Sequence, residues 1–197
     1  IAGVILRNRL RRDGYEVKVD AVADTLRAVK LVRAHAASFG IDPARVGLMG
    51  FSAGAELVAA AALEFAAADE KSREGADAFA AVSARPDFVA LVYPGPTPFA
   101  QGATPAIPRN VPPAFIATPG SGDRVHAMWA DEYFRAMLAL GVPNLEMHVY
   151  GNGEHANGLK DRGGIPLGTW GLRFVDWARD LGFLGKAGTP TKAAADV

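Results

Sequence analysis

The chain has 197 residues, no cysteine, and 21 basic against 21 acidic side chains. That length suits one domain with a sizeable core, and a hydrophobic content of 50% excludes wholesale disorder. The balanced charge sets up no field for nucleic acid or an anionic membrane, no apolar run approaches the ~18 residues of a membrane span, and the lack of cysteine removes disulfides, thiolate metal sites and a thiol nucleophile together.

In chain order, IAGVILR (1–7) reads as a buried strand, and RNRLRRDG (7–14) as a solvated basic loop. From Val19 to Phe39 the residues Val22, Leu26, Val29, Val32 and Ala36 recur at steps of three or four. That period predicts one helix, closed by Gly40. IDPAR (41–45) is a turn, and VGLMGF (46–51) is a short continuous apolar run, as expected of a strand buried on both faces. An alanine-rich helix should start just past Ser52 and fade near Asp69, with a connection lacking any period over 69–86. DFVALVYPG (87–95) reads as a third strand, and the loop over 94–113 holds seven of the thirteen prolines. AFIATPG (114–120) reads as a fourth strand, residues from about Ala127 to Leu140 as a helix, and LEMHVYG (145–151) as a fifth strand. GTWGLRFVDWARDLGF (168–183) is the last helix, and 186–197 a frayed tail. Strands alternating with helices predict one α/β domain over 1–185, with about five strands in a mostly parallel sheet flanked by helices.

A parallel sheet presents its chemistry at the carboxyl ends of its strands. Gly50-Phe51-Ser52-Ala53-Gly54 lies at such an end and has the G-x-S-x-G form of a nucleophile elbow. Ser52 is held in a strained turn, and glycines two before and two after it remove bulk where strand and helix approach. The backbone N–H of Ala53, at the positive end of the helix, can donate to an oxyanion. The bland alternative is that Ser52 only caps the helix. Of the four histidines, His35 in a helix and His148 in a strand read as structural, and His126 after GDRV is a weak candidate base. His155, in the glycine-rich GNGEHANGL just past the last strand, is the preferred base. Asp123, in TPGSGDRV past the fourth strand, is the candidate acid. Ser, Asp, His is the chain order of α/β-hydrolase triads. Phe51, Tyr93, Phe99 and Trp129 are candidates for lining an acyl or sugar pocket, with simple core packing as the alternative for each. No metal is expected, because His126, His148 and His155 lack i, i+4 spacing with a carboxylate. No cofactor is expected, because no G-x-G-x-x-G opens a helix.

These segments resemble α/β-hydrolase esterases of the group that includes bacterial acetyl-xylan and feruloyl esterases, often described as dienelactone-hydrolase-related. GIDPARVGLMGFSAGAEL is similar to the elbow segment of that group, and PPAFIATPGSGDRVHAMWADEYFRAMLALGVPNLEMHVYGNGEHANGL to its acid-and-histidine block. The resemblance implies Ser52 as nucleophile, Asp123 as acid, His155 as base, and short acyl esters such as acetylated carbohydrates as substrates. Three departures stand out. The loop from Gly95 to Val111 is short, which suggests an open site, and Ala156-Asn157 replace the small or aromatic residues often found after the histidine. IAGVILRNRL resembles the fourth strand of the group, so its first three strands and the loop supplying a second oxyanion donor have no counterpart here. Two explanations stay open: a missing N-terminal segment that covers the sheet edge, or a homodimer that does so. A silent hydrolase-like module that binds a ligand without turnover is the alternative to an ester hydrolase.

Overall fold

The computed structural model describes residues 1–75, 77–158 and 166–196. In chain order these residues form α1 (Val22–Ala34), α2 (Ala36–Phe39), β1 (Leu48–Phe51), α3 (Ala53–Glu74), β2 (Val89–Val92), β3 (Ala114–Pro119), α4 (Arg124–Ala139), β4 (Glu146–Tyr150), α5 (Trp170–Asp180) and α6 (Lys192–Ala195). The strands make one parallel sheet in the order β1-β2-β3-β4. Parallel neighbours need crossovers. These are α3, the proline-rich stretch with its short turn at Ala100–Gly102, and α4.

Side chains alternate across a strand, and the two central strands use both faces. Val89, Leu91, Ala114 and Ile116 face α3 and α4, packing on Ala55, Val58, Ala59, Ala62, Tyr133 and Met137. Ala90, Val92, Phe115 and Ala117 face the other way, onto Trp170, Trp177, Leu181 and Phe183. All of β2 and β3 is buried. The alanines of α3 serve this layer directly: small side chains let the helix lie close on the sheet at interior packing density. Val22 and Leu26 of α1 pack on Leu57, Ala61 and Phe65 along the outer flank of α3.

Several expectations are corrected. Residues 1–7 form no strand, and Ile1 and Ile5 are 94% and 97% exposed. An apolar run becomes a strand only beside another, and here a groove of about 1390 Å³, lined in part by Val29, Leu48, Phe88, Phe174 and Phe183, separates the segment from β1. The described sheet therefore has four strands rather than five. β1 is not buried on both faces: as the edge strand it leaves Met49 and Phe51 about 40% open. The single helix expected over Val19–Phe39 is a π-helical turn, Val17–Ala21, followed by α1 and α2, broken where His35 leaves helical geometry (φ −102°, ψ 17°).

The tail is also ordered. Arg45 donates to the carbonyls of Gly185, Lys186 and Thr189, the Gly188 N–H donates to Asp42, and Thr191 caps α6 through the Ala194 N–H at 3.0 Å. Val197 and residues 159–165, which include the end of the predicted histidine loop, lie outside the described residues. The basic stretch is likewise more than a solvated loop, since Arg9 pairs with Asp20 at 2.8 Å and Asp24 at 2.7 Å.

The connection after α3 is held by Asp77. Its carboxylate accepts from the Phe79 N–H at 2.9 Å, from Arg27 of α1, and from Ser72 at 3.0 Å. The Phe79 N–H first, and the Arg27 guanidinium next, hold this carboxyl down to about 2. A depressed carboxyl contributes stability above the ordinary pKa of about 4, and that stability is lost as pH falls toward the folded value. Thermal unfolding between pH 5 and pH 2 should therefore show an acid slope that Asp77→Asn flattens.

Candidate active site

Three chain segments meet at the carboxyl end of the sheet. Ser52 joins β1 to α3 with φ 52° and ψ −121°, a backbone conformation that L residues rarely hold without support. The support is visible: the Ser52 N–H donates to the Val92 carbonyl at 3.0 Å, and the Ser52 carbonyl accepts from the Gly95 N–H at 3.0 Å. The end of β2 thus clamps the turn on both sides. The Ser52 carbonyl also accepts from Ala55 and Glu56, so the N–H groups of Ala53 and Gly54 are the helix-end donors facing outward.

The two elbow glycines are not equivalent. A Cβ on Gly50 would run into the backbone of Gly54 and Ala55, whereas a Cβ on Gly54 meets nothing within 4 Å. Of the two glycines, Gly50 alone is required by the close approach of strand and helix. Gly50→Ala should cost about 1–3 kcal/mol in thermal unfolding, as an overpacked contact does. Gly54→Ala should be neutral or stabilise by up to about 1 kcal/mol, because a helical glycine is replaced without strain.

Asp123 ends a short turn after β3, and this turn is tied to the end of β4. The Gly120 N–H donates to the Tyr150 carbonyl at 2.7 Å, and Ser121 Oγ to the Gly151 carbonyl at 2.6 Å. His155 rides on the loop leaving β4, which is tethered again where Trp170 Nε1 donates to the Gly158 carbonyl at 3.1 Å. The result is a hydrogen-bonded line. Ser52 Oγ lies 2.8 Å from His155 Nε2, and His155 Nδ1 lies 2.7 Å from Asp123 Oδ2. The Asp123 side chain is 9% exposed and that of His155 is 36% exposed. The acid is shielded while the imidazole meets solvent. With Nδ1–H given to Asp123, Nε2 is free to accept the serine proton.

Aromatic rings frame the imidazole. Tyr93, buried and at φ 39°, stands edge-on to His155 at 5.0 Å. Phe51 sits 6.0 Å from Tyr93 and 5.7 Å from Trp170. Phe99, a candidate for the pocket lining, packs against the core beside Tyr133 at 5.9 Å. Trp129 meets the site through His126, edge-on at 5.1 Å. His35 and His148 sit away from this line: His35 Nδ1 bonds the Leu31 carbonyl at 2.9 Å, and His148 Nε2 meets Glu146 at 2.7 Å.

Two further residues join this site. His126, a weak candidate base by sequence, bonds Asp123 Oδ1 at 2.6 Å through Nδ1 and stacks on His155 at 3.9 Å. Glu56, one turn past Ser52, faces Gly95, and burial pushes its carboxyl up against a smaller opposing pull from Lys18. Asp123, His126 and His155 also bring a carboxylate and two imidazoles within 4.8 Å, a donor set of the kind that holds a metal ion. The two rings lie nearly parallel, at 25°, and each Nδ1 is taken by one oxygen of the Asp123 carboxylate. The groove beside β1 is lined by none of Ser52, Asp123 or His155. Among the described residues, no helix is long and apolar enough to cross a membrane.

The sequence profile of the alpha/beta hydrolase fold family matches residues 18–136, well over half of the chain. The chain belongs to the α/β hydrolase family. Its solved relatives include an acetyl ester-xyloside bifunctional hydrolase from Caldicellulosiruptor lactoaceticus, at 25% identity and a TM-score of 0.74. That likeness covers 90% of this α/β hydrolase and 71% of the relative. A thermophilic esterase from Thermogutta terrifontis, at 22% identity and a TM-score of 0.67, shows the same fold over 90% of this chain and 70% of its own. Among curated proteins, endo-1,4-beta-xylanase B of Butyrivibrio fibrisolvens is 38% identical over 71 residues, which is 36% of this chain and 11% of the xylanase. The α/β hydrolase described here thus spans a small part of that relative.

Proposed function

We propose that this α/β hydrolase is a serine carboxylesterase that works through an acyl-enzyme on short acyl esters, acetylated carbohydrates among them. Ser52 attacks the ester carbonyl as His155 Nε2 takes its proton, and the Ala53 N–H at the head of α3 receives the developing oxyanion. His155 then returns the proton to the leaving alcohol. Water, activated by the same imidazole, releases the acid and restores Ser52. Asp123 holds the His155 ring in the tautomer that leaves Nε2 unprotonated.

One observation carries this reading: the unbroken line from Ser52 Oγ through His155 to Asp123, at 2.8 and 2.7 Å. A serine that only capped α3 would turn its oxygen to the helix, yet Ser52 makes no side-chain cap bond. The relatives add support for the ester class, since one is an acetyl ester hydrolase and another an esterase. A small acyl group is supported by the Tyr93 ring edge-on to the imidazole, with Phe51 packed against that ring.

The test is a series of p-nitrophenyl esters of increasing chain length, with acetylated xylan as a natural counterpart. Acetate and butyrate should turn over, and kcat/KM should fall at least tenfold by decanoate. A preference for the longest chain overturns the small-acyl reading.

A further inference from the structure

We infer that His126 is a positioning residue that keeps the Asp123 carboxylate turned toward His155 and away from its own helix. The inference rests on the proposed Ser52–His155–Asp123 chemistry and assigns a device within it.

Asp123 occupies the N-cap position of α4, where an aspartate ordinarily accepts the N–H of the second or third helical residue. It makes no such bond. Its two oxygens go instead to two imidazoles: Oδ2 to His155 Nδ1 at 2.7 Å, and Oδ1 to His126 Nδ1 at 2.6 Å. His126 is the third helical residue. Its ring nitrogen therefore stands in for the backbone N–H that its own position would offer as a cap. The torsion about a carboxylate is broad, so one bond to His155 does not hold the group still. With Oδ1 unclaimed, the carboxylate is free to swing back onto the end of α4, where both capping and the helix dipole favour it.

The His126 ring is itself fixed on two sides. It stacks on His155 at 3.9 Å and 25°, and Trp129, one turn on, meets it edge-on at 5.1 Å and 89°. Two rings stacked side by side present their Nδ1 atoms to one carboxylate in register. The geometry sets the tautomer of each: both rings donate from Nδ1, which leaves His155 Nε2 to Ser52.

Two variants separate the bond from the ring. His126→Phe keeps an aromatic face against His155 and removes the donor. His126→Asn removes the ring and places an amide N–H near the Nδ1 position. Two readouts are taken together: kinetics with p-nitrophenyl acetate, and the downfield proton spectrum of the imidazole N–H groups, with thermal unfolding to check the fold. The wild-type chain should show downfield N–H signals from His126 and His155 on Asp123, beside that of His148 on Glu146, which His148→Gln assigns. In His126→Phe one signal should vanish and the His155 signal shift or broaden, with kcat down ten- to a hundredfold, KM unchanged and Tm equal or higher. His126→Asn should restore kcat to within about threefold of wild type. A His155 signal unmoved in His126→Phe overturns the inference, as does a kcat within twofold of wild type. Wild-type protein without Ser52-dependent turnover counts against the esterase reading alone, because the spectrum still reads the carboxylate directly.

Discussion

In the Ser52→Ala variant, the rapid release of p-nitrophenol that precedes steady turnover of p-nitrophenyl acetate disappears, and kcat/KM falls by roughly 10³–10⁶. The size follows from what the hydroxyl is asked to do. Without it no acyl-enzyme forms, and only bound water assisted by His155 and the Ala53 N–H remains. The fold should not suffer. Alanine meets the same strain at φ 52° as serine does, because both carry a Cβ and neither is branched. Oγ pairs with His155, whose side chain is 36% exposed, so water replaces the lost partner at little cost. A Tm within about 1 °C of wild type together with lost turnover is the expected pair. Turnover that survives the substitution would make Ser52 a structural turn residue and move the search to another nucleophile.

Much of this arrangement is legible from sequence, for a physical reason. β2 and β3 are short apolar runs, β4 mixes apolar residues with Glu146 and His148, and each lies within the predicted span. Ser52, Asp123 and His155 each follow a strand, so a parallel sheet brings them to one end whatever the details of the loops. What was not legible depends on neighbours. IAGVILR has the composition of a strand, but without a strand beside it the backbone joins no ladder. VGLMGF has the composition of a central strand, and its edge position leaves Met49 and Phe51 about 40% open. The end of the chain reads as frayed because its anchors, Asp42 and Arg45, lie some 140 residues earlier. His126 was hidden by an error of three residues. With α4 predicted from Ala127, Asp123 is a loop residue, whereas with α4 starting at Arg124 it is an N-cap whose side chain has been drawn off its helix. Aspartate followed three residues later by histidine, at the start of a helix, is the signal that could have found it.

Gly122→Ala should lower kcat about a hundredfold although the residue touches none of the reacting atoms. Its Cβ would collide with the carbonyl oxygen of Gly153 and come within 2.9 Å of the carbonyl carbon. Both sides of that contact are backbone, so no side chain can swing aside. Gly153 has little room to retreat, since a Cβ built on it already stands 3.0 Å from Leu167 Cδ2 and 3.3 Å from Pro119 Cβ. Nor can the Asp123 turn back away freely, because Gly120 and Ser121 are bonded to the carbonyls of Tyr150 and Gly151. The strain must therefore open the gap between the turn carrying Asp123 and the loop carrying His155, two residues past Gly153. A displacement of about 1 Å at such a pair costs on the order of 10² in rate, while the overpacking itself costs about 1–3 kcal/mol of stability. The two effects are separable. A folded Gly122→Ala protein at 25 °C should bind p-nitrophenyl acetate with near-normal KM and acylate slowly. If kcat stays at the wild-type value in a folded variant, the Asp123–His155 spacing is not held by this contact, and the close approach of the two loops serves packing alone.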